Sequence, residues 1–217
     1  MPPLAQAVVF DLDGTLLDSL EDIALAMNDA LAGLGRPTHP VDAYRAFVGR
    51  GVGALAARAL GDGHADLAPR AVEAFRRAYA DRLVERTRPY PGVPALLDAL
   101  ATRGVPAAVL TNKPEPAARA LVERLLGAWP WAAVIGDRPG LPHKPDPTGA
   151  RAAARALGVA PADALLVGDS DVDVHTARAA GMVAVGAAWG FRGRDELEAA
   201  GAEVVVERPA DVLRLVR

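Results

Sequence analysis

Two carboxylates stand beside an apolar run near the start of the chain. In the stretch "AVVFDLDGT", Asp11 and Asp13 follow the apolar residues 7–10, and Gly14 comes next. Side chains two positions apart in an extended segment point to the same side, so the two carboxyl groups can share one site. Burying such charges is unfavourable unless cations or hydrogen-bond donors compensate for them. The stretch therefore predicts a site that brings positive charge to both acids.

Further polar residues occupy comparable positions later in the chain. They follow other short apolar runs or, in one case, precede a predicted helix: Thr111, Asn112, Lys144, Asp169 and Asp173. Ligands of open parallel sheets bind at the carboxyl ends of the strands, so we expect these groups to meet on one rim. All but two of the 24 basic residues are arginine. The lysines, Lys113 and Lys144, are therefore candidates for places where a wide guanidinium does not serve.

This set of residue types suits phosphoryl transfer. Oxygen-only ligands are typical of hard cations such as Mg²⁺. The metal would offset the repulsion among Asp11, Asp13 and Asp169, and would screen a phosphate dianion from a carboxylate nucleophile. Threonine and asparagine donors, with backbone amides near Gly14, can hold phosphoryl oxygens. Lys144 supplies compact positive charge.

The elements that position these residues follow from the apolar pattern. Short β-rich runs bounded by Gly, Pro or Asp predict buried parallel strands at 7–10, 107–111, 132–135, 164–168, 182–186 and 203–206. Helical patterns lie between them at 93–103, 116–126, 148–157 and 172–180. Strands that alternate with helices of about ten residues predict βαβ units, and so an α/β fold with a Rossmann-like parallel sheet.

The stretch 16–86 departs from this alternation, because it contains no convincing strand. Its apolar spacing predicts four helices, at 20–34, 42–48, 51–60 and 67–83. The Pro-rich stretch "RTRPYPGV" that follows resembles a stiff linker. We therefore expect a core made of residues 1–15 and 87–217, with a helical insertion at 16–86. The hinges are expected near 16–18 and 86–91.

Composition excludes several classes of function. The 217 residues carry a net charge of −3 and are 51% hydrophobic, as in a soluble globular protein. There is no basic excess for nucleic acid and no apolar stretch near the roughly 20 residues of a membrane span. The N-terminus lacks the pattern of a signal peptide, so a cytoplasmic location is expected. The absence of cysteine excludes disulfides and thiolate catalysis. Monomer and homodimer both remain open.

Four short motifs, taken together, resemble those of the haloacid dehalogenase superfamily. They are "DLDGT", "TN", the lysine of "HKPDP" and "GDSDVD", in the family's order and across essentially the whole chain. The stretches "YPGV", "TNKP", "KPDP", "VGDS" and "ARAAG" resemble the phosphoglycolate phosphatase branch. The helical insertion stands where that branch carries its C1 cap domain. The resemblance implies a Mg²⁺-dependent phosphatase that acts on a small phosphorylated metabolite, with 2-phosphoglycolate as the first candidate.

The resemblance also implies roles for the catalytic residues. Asp11 would attack phosphorus and form an aspartyl-phosphate. Asp13 would protonate the leaving alkoxide and later take a proton from water. Thr111 and Asn112 would bind the phosphoryl group, together with the backbone near Gly14, and Lys144 would balance charge.

The metal site implied by the resemblance uses three residues directly. Asp11, Asp169 and the backbone carbonyl of Asp13 would hold Mg²⁺, and Asp173, one helical turn beyond Asp169, would face it through water. Asp171 is instead interpreted as an acid favoured by the helix N-terminus, and it is left out of the site.

Specificity is expected from the insertion. Arg50, in "FVGRGVG", is the candidate for a substrate carboxylate, because arginine binds carboxylates in a bidentate manner. A solvated loop arginine is an equally good interpretation. Lys113 is the weaker of the two lysine candidates, with a solvent-facing side chain as the alternative interpretation, and His143 is a further candidate for contact with the site.

Other functions remain open at this level. A phosphatase for another small sugar or sugar-acid phosphate fits the same residues, and so does a phosphomutase. A dehalogenase is disfavoured, because that branch lacks the second acid, Asp13. A receiver-type signalling module also clusters aspartates, Mg²⁺, Thr or Ser and Lys at strand ends. It would not need an insertion of about 70 residues.

Overall fold

The computed structural model describes residues 4–217, and its centre is a parallel sheet. The strands are β1 (Ala7–Phe10), β2 (Leu17–Asp18), β3 (Arg88–Pro89), β4 (Ala107–Pro114), β5 (Trp131–Asp137), β6 (Ala164–Gly168), β7 (Val183–Ala187) and β8 (Val204–Val206). The helices are α1 (Leu20–Gly33), α2 (Tyr44–Phe47), α3 (Gly51–Leu60), α4 (Ala68–Asp81), α5 (Val93–Thr102), α6 (Glu115–Leu126), α7 (Thr148–Leu157), α8 (Asp171–Ala180) and α9 (Arg194–Ala199).

The sheet has six strands in the order β5-β4-β1-β6-β7-β8, and all its pairs are parallel. Strand β1 lies in the middle and is fully buried. Its side chains alternate, as the two-residue period of a strand requires. Val8 and Phe10 join the apolar cluster on one face, whereas Ala7 and Val9 join the cluster formed with α7 and α8 on the other. Helices thus cover both faces, which confirms the predicted α/β Rossmann-like fold.

One predicted strand is longer than the apolar pattern indicated. Strand β4 continues past residue 111, and its pairing with β5 reaches Pro114 opposite Asp137 after a register shift. Thr111, Asn112 and Lys113 are therefore buried parts of a strand. The apolar pattern underestimated the length of β4, because its apolar residues end at Leu110 whereas its backbone pairing with β5 continues beyond that residue.

The stretch between β2 and β3 is helical, with boundaries that differ from the prediction. The helix expected at 42–48 is a 3₁₀ turn, Val41–Ala43, followed by α2. The helix expected at 67–83 is the 3₁₀ turn Ala65–Leu67 followed by α4. None of the helices within residues 4–217 combines the length and the apolar character needed to cross a membrane.

A small antiparallel ribbon joins this helical stretch to the sheet. Leu17 pairs with Pro89, and Asp18 pairs with Arg88. Sequence reasoning missed β2 and β3 because two residues are too short for a periodic signal. They lie in the two segments where hinges were expected.

Asp22 links α1 by hydrogen bonds to the chain that enters β3 of the ribbon. This fully buried carboxylate accepts hydrogen bonds from the backbone N–H groups of Arg86 (3.0 Å) and Thr87 (2.8 Å). It also accepts one from the Thr87 hydroxyl at 2.7 Å. The first turn of α1 and the returning chain are thus held together by one acid.

Removing that acid should destabilise the protein. We expect Asp22→Ala to lower the free energy of unfolding by about 3 kcal/mol, because buried donors lose a charged acceptor. A urea titration followed by circular dichroism measures the shift. The matched control is Asp29→Ala, on the same helix, which removes an exposed pair with Arg82 and should cost less than about 1 kcal/mol. Equal effects of the two substitutions would contradict the role of Asp22.

Candidate active site

The carboxyl ends of three neighbouring strands meet at one edge of the sheet. Asp11 follows β1, Asn112 lies near the end of β4, and Asp169 follows β6. Since β1 lies between β4 and β6, these side chains are brought together across two strand spacings. All three are buried, and so is Lys144. The rim predicted from the sequence is therefore present in the structure.

Three carboxylates crowd this rim. One oxygen each from Asp11, Asp169 and Asp173 lies within 4.8 Å of the others. The pKa of Asp11 is raised to about 7: burial is the main cause, Lys144 opposes it, and the charge of Asp173 adds to it. Burial also raises the pKa of Asp169, and the charges of Asp173 and Asp11 add to that shift. Burial and the neighbouring acids thus disfavour the ionised forms of Asp11 and Asp169, which a bound cation would favour.

Lys144 is the cation that the sequence placed at this rim. Its Nζ lies 2.9 Å from Asp11 Oδ1 and 2.6 Å from Asp173 Oδ1, and it donates to the Leu110 carbonyl at 3.1 Å. Burial alone lowers the pKa of this ammonium, but Asp11 and Asp173 outweigh burial and raise it. Lys144 is therefore a charged lysine at the strand ends.

The oxygen atoms of the rim fit a hard divalent cation. Asp11 Oδ1 is buried, and the Lys144 ammonium lies 2.9 Å from it. Asp169 accepts from the Phe191 N–H at 2.7 Å and, at 3.4 Å, from the Thr15 hydroxyl. Buried carboxylates that each offer an oxygen within 4.8 Å of the others are the kind of ligands that a hard cation binds.

Asp173 differs from the other two acids, because both of its oxygens have partners. Oδ1 pairs with Lys144, and Oδ2 accepts from the N–H (3.2 Å) and the hydroxyl (2.7 Å) of Ser170. This capping box fixes Asp173 at the start of α8. The arrangement holds Lys144 in place, and the contact through water to a metal stays a prediction.

Two glycines permit the close approach of chain segments around Asp169. Gly14 has a φ of +85°, and a Cβ there would overlap the carboxyl group of Asp169. A Cβ on Gly190 would overlap Asp169 Cβ and the Gly14 carbonyl oxygen. The sequence analysis identified Gly14 but missed Gly190, which lies in the loop after β7 and carries no motif.

Lys113 is buried, so the alternative of a solvent-facing side chain is wrong. Its Nζ donates to Asp13 Oδ2 at 2.9 Å and to Asp13 Oδ1 at 3.0 Å. The Ser19 hydroxyl donates to Asp13 Oδ1 at 2.6 Å. Since β4 continues through Lys113, its side chain points into the structure rather than out of a loop. The second lysine is thus also part of the rim.

Asn112 braces the loop that carries Lys144. Its Oδ1 accepts from the Lys144 N–H at 2.9 Å, and its Nδ2 donates to the carbonyls of Lys144 (3.1 Å) and Gly49 (3.0 Å). The Thr111 hydroxyl accepts from the Lys113 N–H at 3.2 Å. Both residues lie at the rim, and their contact with a phosphoryl group stays a prediction.

Arg50 and His143 are engaged with other residues. Arg50 Nη2 donates to Asp171 at 2.6 Å, and Arg50 does not line the cavity described next. His143 Nε2 lies 2.8 Å from Asp137 Oδ1. Asp171, which the sequence analysis left out, thus connects α8 to the helical insertion. The role of Arg50 toward substrate stays a prediction.

A cavity of about 810 Å³ lies between the helical insertion and the strand ends. Its polar floor includes the acids and amides of the rim. Its walls are apolar side chains of the insertion: Ile23, Val52, Leu55 and Phe75. The strand ends of this Rossmann-like sheet present carboxylates, a buried lysine and small polar donors beneath the cavity. Such a combination is typical of an enzyme that transfers phosphoryl groups.

Comparison with known proteins specifies that class. Over residues 5–181 the chain matches the family model of haloacid dehalogenase-like hydrolases. Similar curated proteins are named phosphoglycolate phosphatase. That of Pseudomonas syringae pv. tomato is 38% identical over 97% of this chain and 76% of that protein. That of Aquifex aeolicus is 34% identical over 97% of this chain and 96% of that protein. That of Rhodospirillum rubrum is 42% identical over 94% of this chain and 88% of that protein.

Solved structures show the same similarity along the whole chain. A Lactobacillus delbrueckii protein, whose name proposes a phosphoglycolate phosphatase, superposes with a TM-score of 0.90 at 29% identity, covering 98% of this chain and 99% of that one. A haloacid dehalogenase-like family hydrolase from Streptococcus pneumoniae has a TM-score of 0.87 at 26% identity, with 97% of each chain covered. The chain therefore belongs to the haloacid dehalogenase-like hydrolase family, and it is a phosphoric monoester hydrolase.

The tight contact at Gly190 gives a test of the rim. We expect Gly190→Ala to displace Asp169 and to weaken Mg²⁺ binding at least tenfold, measured by isothermal titration calorimetry, because the loss of one good charged ligand contact costs about 1.4 kcal/mol or more. Gly33→Ala is the control, since a Cβ there meets nothing within 4 Å. Unchanged Mg²⁺ affinity in Gly190→Ala would contradict the assignment of Asp169 to the metal.

Proposed function

We propose that the protein hydrolyses a small phosphomonoester, first of all 2-phosphoglycolate, through an aspartyl-phosphate on Asp11 with Mg²⁺ bound. The observation that carries the proposal is the Asp11 carboxylate, which lies buried at a strand end, lines the cavity and has one oxygen 2.9 Å from the Lys144 ammonium. An oxygen in that state is available as a nucleophile. The relatives named phosphoglycolate phosphatase support the choice of substrate.

The first step transfers the phosphoryl group to the protein. An oxygen of Asp11 attacks phosphorus while the bond from phosphorus to the leaving oxygen breaks. Asp13 gives its proton to that leaving oxygen, so the product leaves as an alcohol and Asp13 remains as a carboxylate. Lys144, 2.9 Å from Asp11, offsets the approach of a phosphate anion to a carboxylate.

The second step releases phosphate. A water molecule attacks the phosphorus of the aspartyl-phosphate, and Asp13 takes the proton that the water loses. The bond between phosphorus and the Asp11 oxygen breaks, which restores the carboxylate of Asp11. Asp13 is then protonated and ready for the next substrate. Both steps use the same pair of residues with their roles exchanged.

Metal binding at the rim would involve Asp11, Asp169 and the backbone carbonyl of Asp13. When bound, Mg²⁺ neutralises charge on the phosphoryl oxygens and offsets the repulsion between the acids. The raised pKa values of Asp11 and Asp169, caused first by burial, support this assignment, because a bound cation favours the ionised carboxylates. Thr111, Asn112 and the backbone at Gly14 would hold the phosphoryl oxygens.

Residues 16–86 are proposed to act as a cap domain that closes over the core, 1–15 and 87–217. The ribbon of β2 and β3 is the only pairing between β-strands in the described chain that joins the two connecting segments. Contacts that hold the helical part over the rim support closure: Arg50 to Asp171, Asn112 to Gly49, and Arg192 to the Val48 carbonyl at 2.9 Å. A closed cap excludes water that would compete with the substrate.

A second candidate substrate class follows from the size of the cavity. A volume of about 810 Å³ greatly exceeds what a two-carbon acid needs, since pockets of about 300–1,000 Å³ hold drug-sized ligands. This observation favours small sugar or sugar-acid phosphates as the alternative. A panel of phosphomonoesters, assayed with and without Mg²⁺ for phosphate release, ranks the two classes by kcat/KM.

The nucleophile has a direct test. We expect Asp11→Asn to abolish turnover, because an amide oxygen does not form the acyl phosphate, while the protein keeps its fold by circular dichroism. The unchanged protein is the positive control, and it should release phosphate over many turnovers. Turnover retained by Asp11→Asn would refute the nucleophile, and release that stops after one equivalent would favour a receiver-type module.

The proposed contact of Arg50 with substrate has a different signature. To bind a carboxylate, Arg50 must leave Asp171 and turn toward the cavity. We expect Arg50→Ala to lower kcat/KM about tenfold for phosphoglycolate and much less for 4-nitrophenyl phosphate, which has no carboxylate. Equal losses for both substrates would reject the carboxylate contact and leave Arg50 as a link between α8 and the insertion.

A further inference from the structure

Lys113 connects the proposed proton shuttle to the helical insertion. Its side chain is only 5% exposed, and its Nζ donates to both oxygens of Asp13, at 3.0 and 2.9 Å. On the other side, the ring of Tyr79 on α4 lies 4.6 Å from Nζ. One ammonium thus lies between a core carboxylate and an aromatic ring of the insertion.

The Asp13 carboxylate has few other restraints. The Ser19 hydroxyl donates to Oδ1 at 2.6 Å, and the remaining side-chain hydrogen bonds of Asp13 among residues 4–217 come from Lys113. A charge-assisted contact restrains a carboxylate more strongly than a neutral hydroxyl does. Lys113 thus supplies two of the three side-chain hydrogen bonds that hold Asp13 among the described residues, at the wall of the cavity.

The position is built for a charged lysine. Lys113 is buried, and Asp13, the acid 2.9 Å from its Nζ, favours the ammonium form. Tyr79 is itself buried, and its ring stacks on Phe75 at 5.2 Å, so the ring face beneath the ammonium is held in place. A cation over a fixed aromatic face gains energy most when water is excluded.

We propose that Lys113 is a positioning residue that orients Asp13 for proton transfer. The Tyr79 ring fixes the position of the Lys113 ammonium when α4 lies over the strand ends. The inference rests on the proposed function, in which Asp13 protonates the leaving oxygen. As the bond from phosphorus to that oxygen breaks, the proton moves from Asp13 to the oxygen, and Lys113 balances the carboxylate that remains. Closure of the insertion and readiness of the proton donor are thereby coupled.

The readout is the dependence on the leaving group. An alkoxide needs its proton during the transfer, whereas 4-nitrophenolate leaves readily without one. Three substrates separate the effects: phosphoglycolate, 2-hydroxyethyl phosphate, which lacks the carboxylate, and 4-nitrophenyl phosphate. General acid catalysis contributes about 10²–10⁴-fold. For Lys113→Met we expect kcat/KM to fall about 10- to 100-fold for both alkyl substrates and by less than about threefold for the aryl substrate.

Each other outcome overturns the inference. A loss confined to phosphoglycolate would mean that Lys113 binds the carboxylate of the substrate. Equal losses for all three substrates would mean a merely structural role. Failure of the unchanged protein to hydrolyse any of the three with Mg²⁺ present would instead overturn the proposed function, and with it this role. Arg124→Met, which removes an exposed cation of α6, is the matched control and should change none of the three values.

A second pair of variants tests the ring and guards against misfolding of Lys113→Met. Tyr79→Phe keeps the aromatic face, so the ratio of alkyl to aryl kcat/KM should stay as in the unchanged protein. Tyr79→Leu removes that face and should lower the ratio about three- to tenfold, as the energy of a cation–π contact indicates. Equal ratios in Tyr79→Leu and Tyr79→Phe would overturn the coupling between α4 and Asp13.

Discussion

The structure depends on how it compensates for carboxylates buried at the end of a central strand. Asp11 is buried, and the cation paired with it is Lys144, which also pairs with Asp173. Several contacts hold that ammonium in place. The Leu110 carbonyl accepts a hydrogen bond from it, and Asn112 accepts one from the Lys144 backbone N–H. The Ser170 hydroxyl donates to Asp173 and so fixes the second acid. Breaking such a pair from one side leaves an uncompensated charge, which is far more costly than an exposed pair would be. The contacts of Lys144 therefore depend on where the backbone places the ends of three strands: β1, β4 and β6.

The rarity of lysine becomes intelligible on this basis. The chain places arginine at its exposed ion pairs, such as Arg194 with Glu198, where a flexible fork serves well. Its two lysines, Lys113 and Lys144, are both buried, and each is paired with an acid that follows β1. A compact ammonium fits between closely spaced carboxylates where a planar guanidinium would not. Composition alone thus identified the two positions, although it did not show that both belong to one site.

The central strands and the acids at their ends were predictable from the sequence, because apolar runs with a polar end produce a strong local signal. What the sequence could not show depends on pairing between distant segments. Strand β4 extends to Lys113 since backbone hydrogen bonds to β5 continue after the apolar residues stop. Gly190 matters only because another loop approaches it, and Asp22 because the chain returns to it some 65 residues later. Such contacts carry no periodicity, so local reasoning assigns those residues to surface loops or helix faces.

The ribbon of β2 and β3 has a consequence for the history of the fold. Because Leu17 pairs directly with Pro89, the chain leaves the sheet and returns to it at points about one strand spacing apart, roughly 5 Å. Any folded unit whose own ends are adjacent can be joined there without moving β1 or the acids that follow it. A different set of helices joined there changes the apolar walls of the cavity, whereas the acids after β1 stay in place. The exchange is restricted at two positions, because Ser19 contacts Asp13 and Tyr79 contacts Lys113.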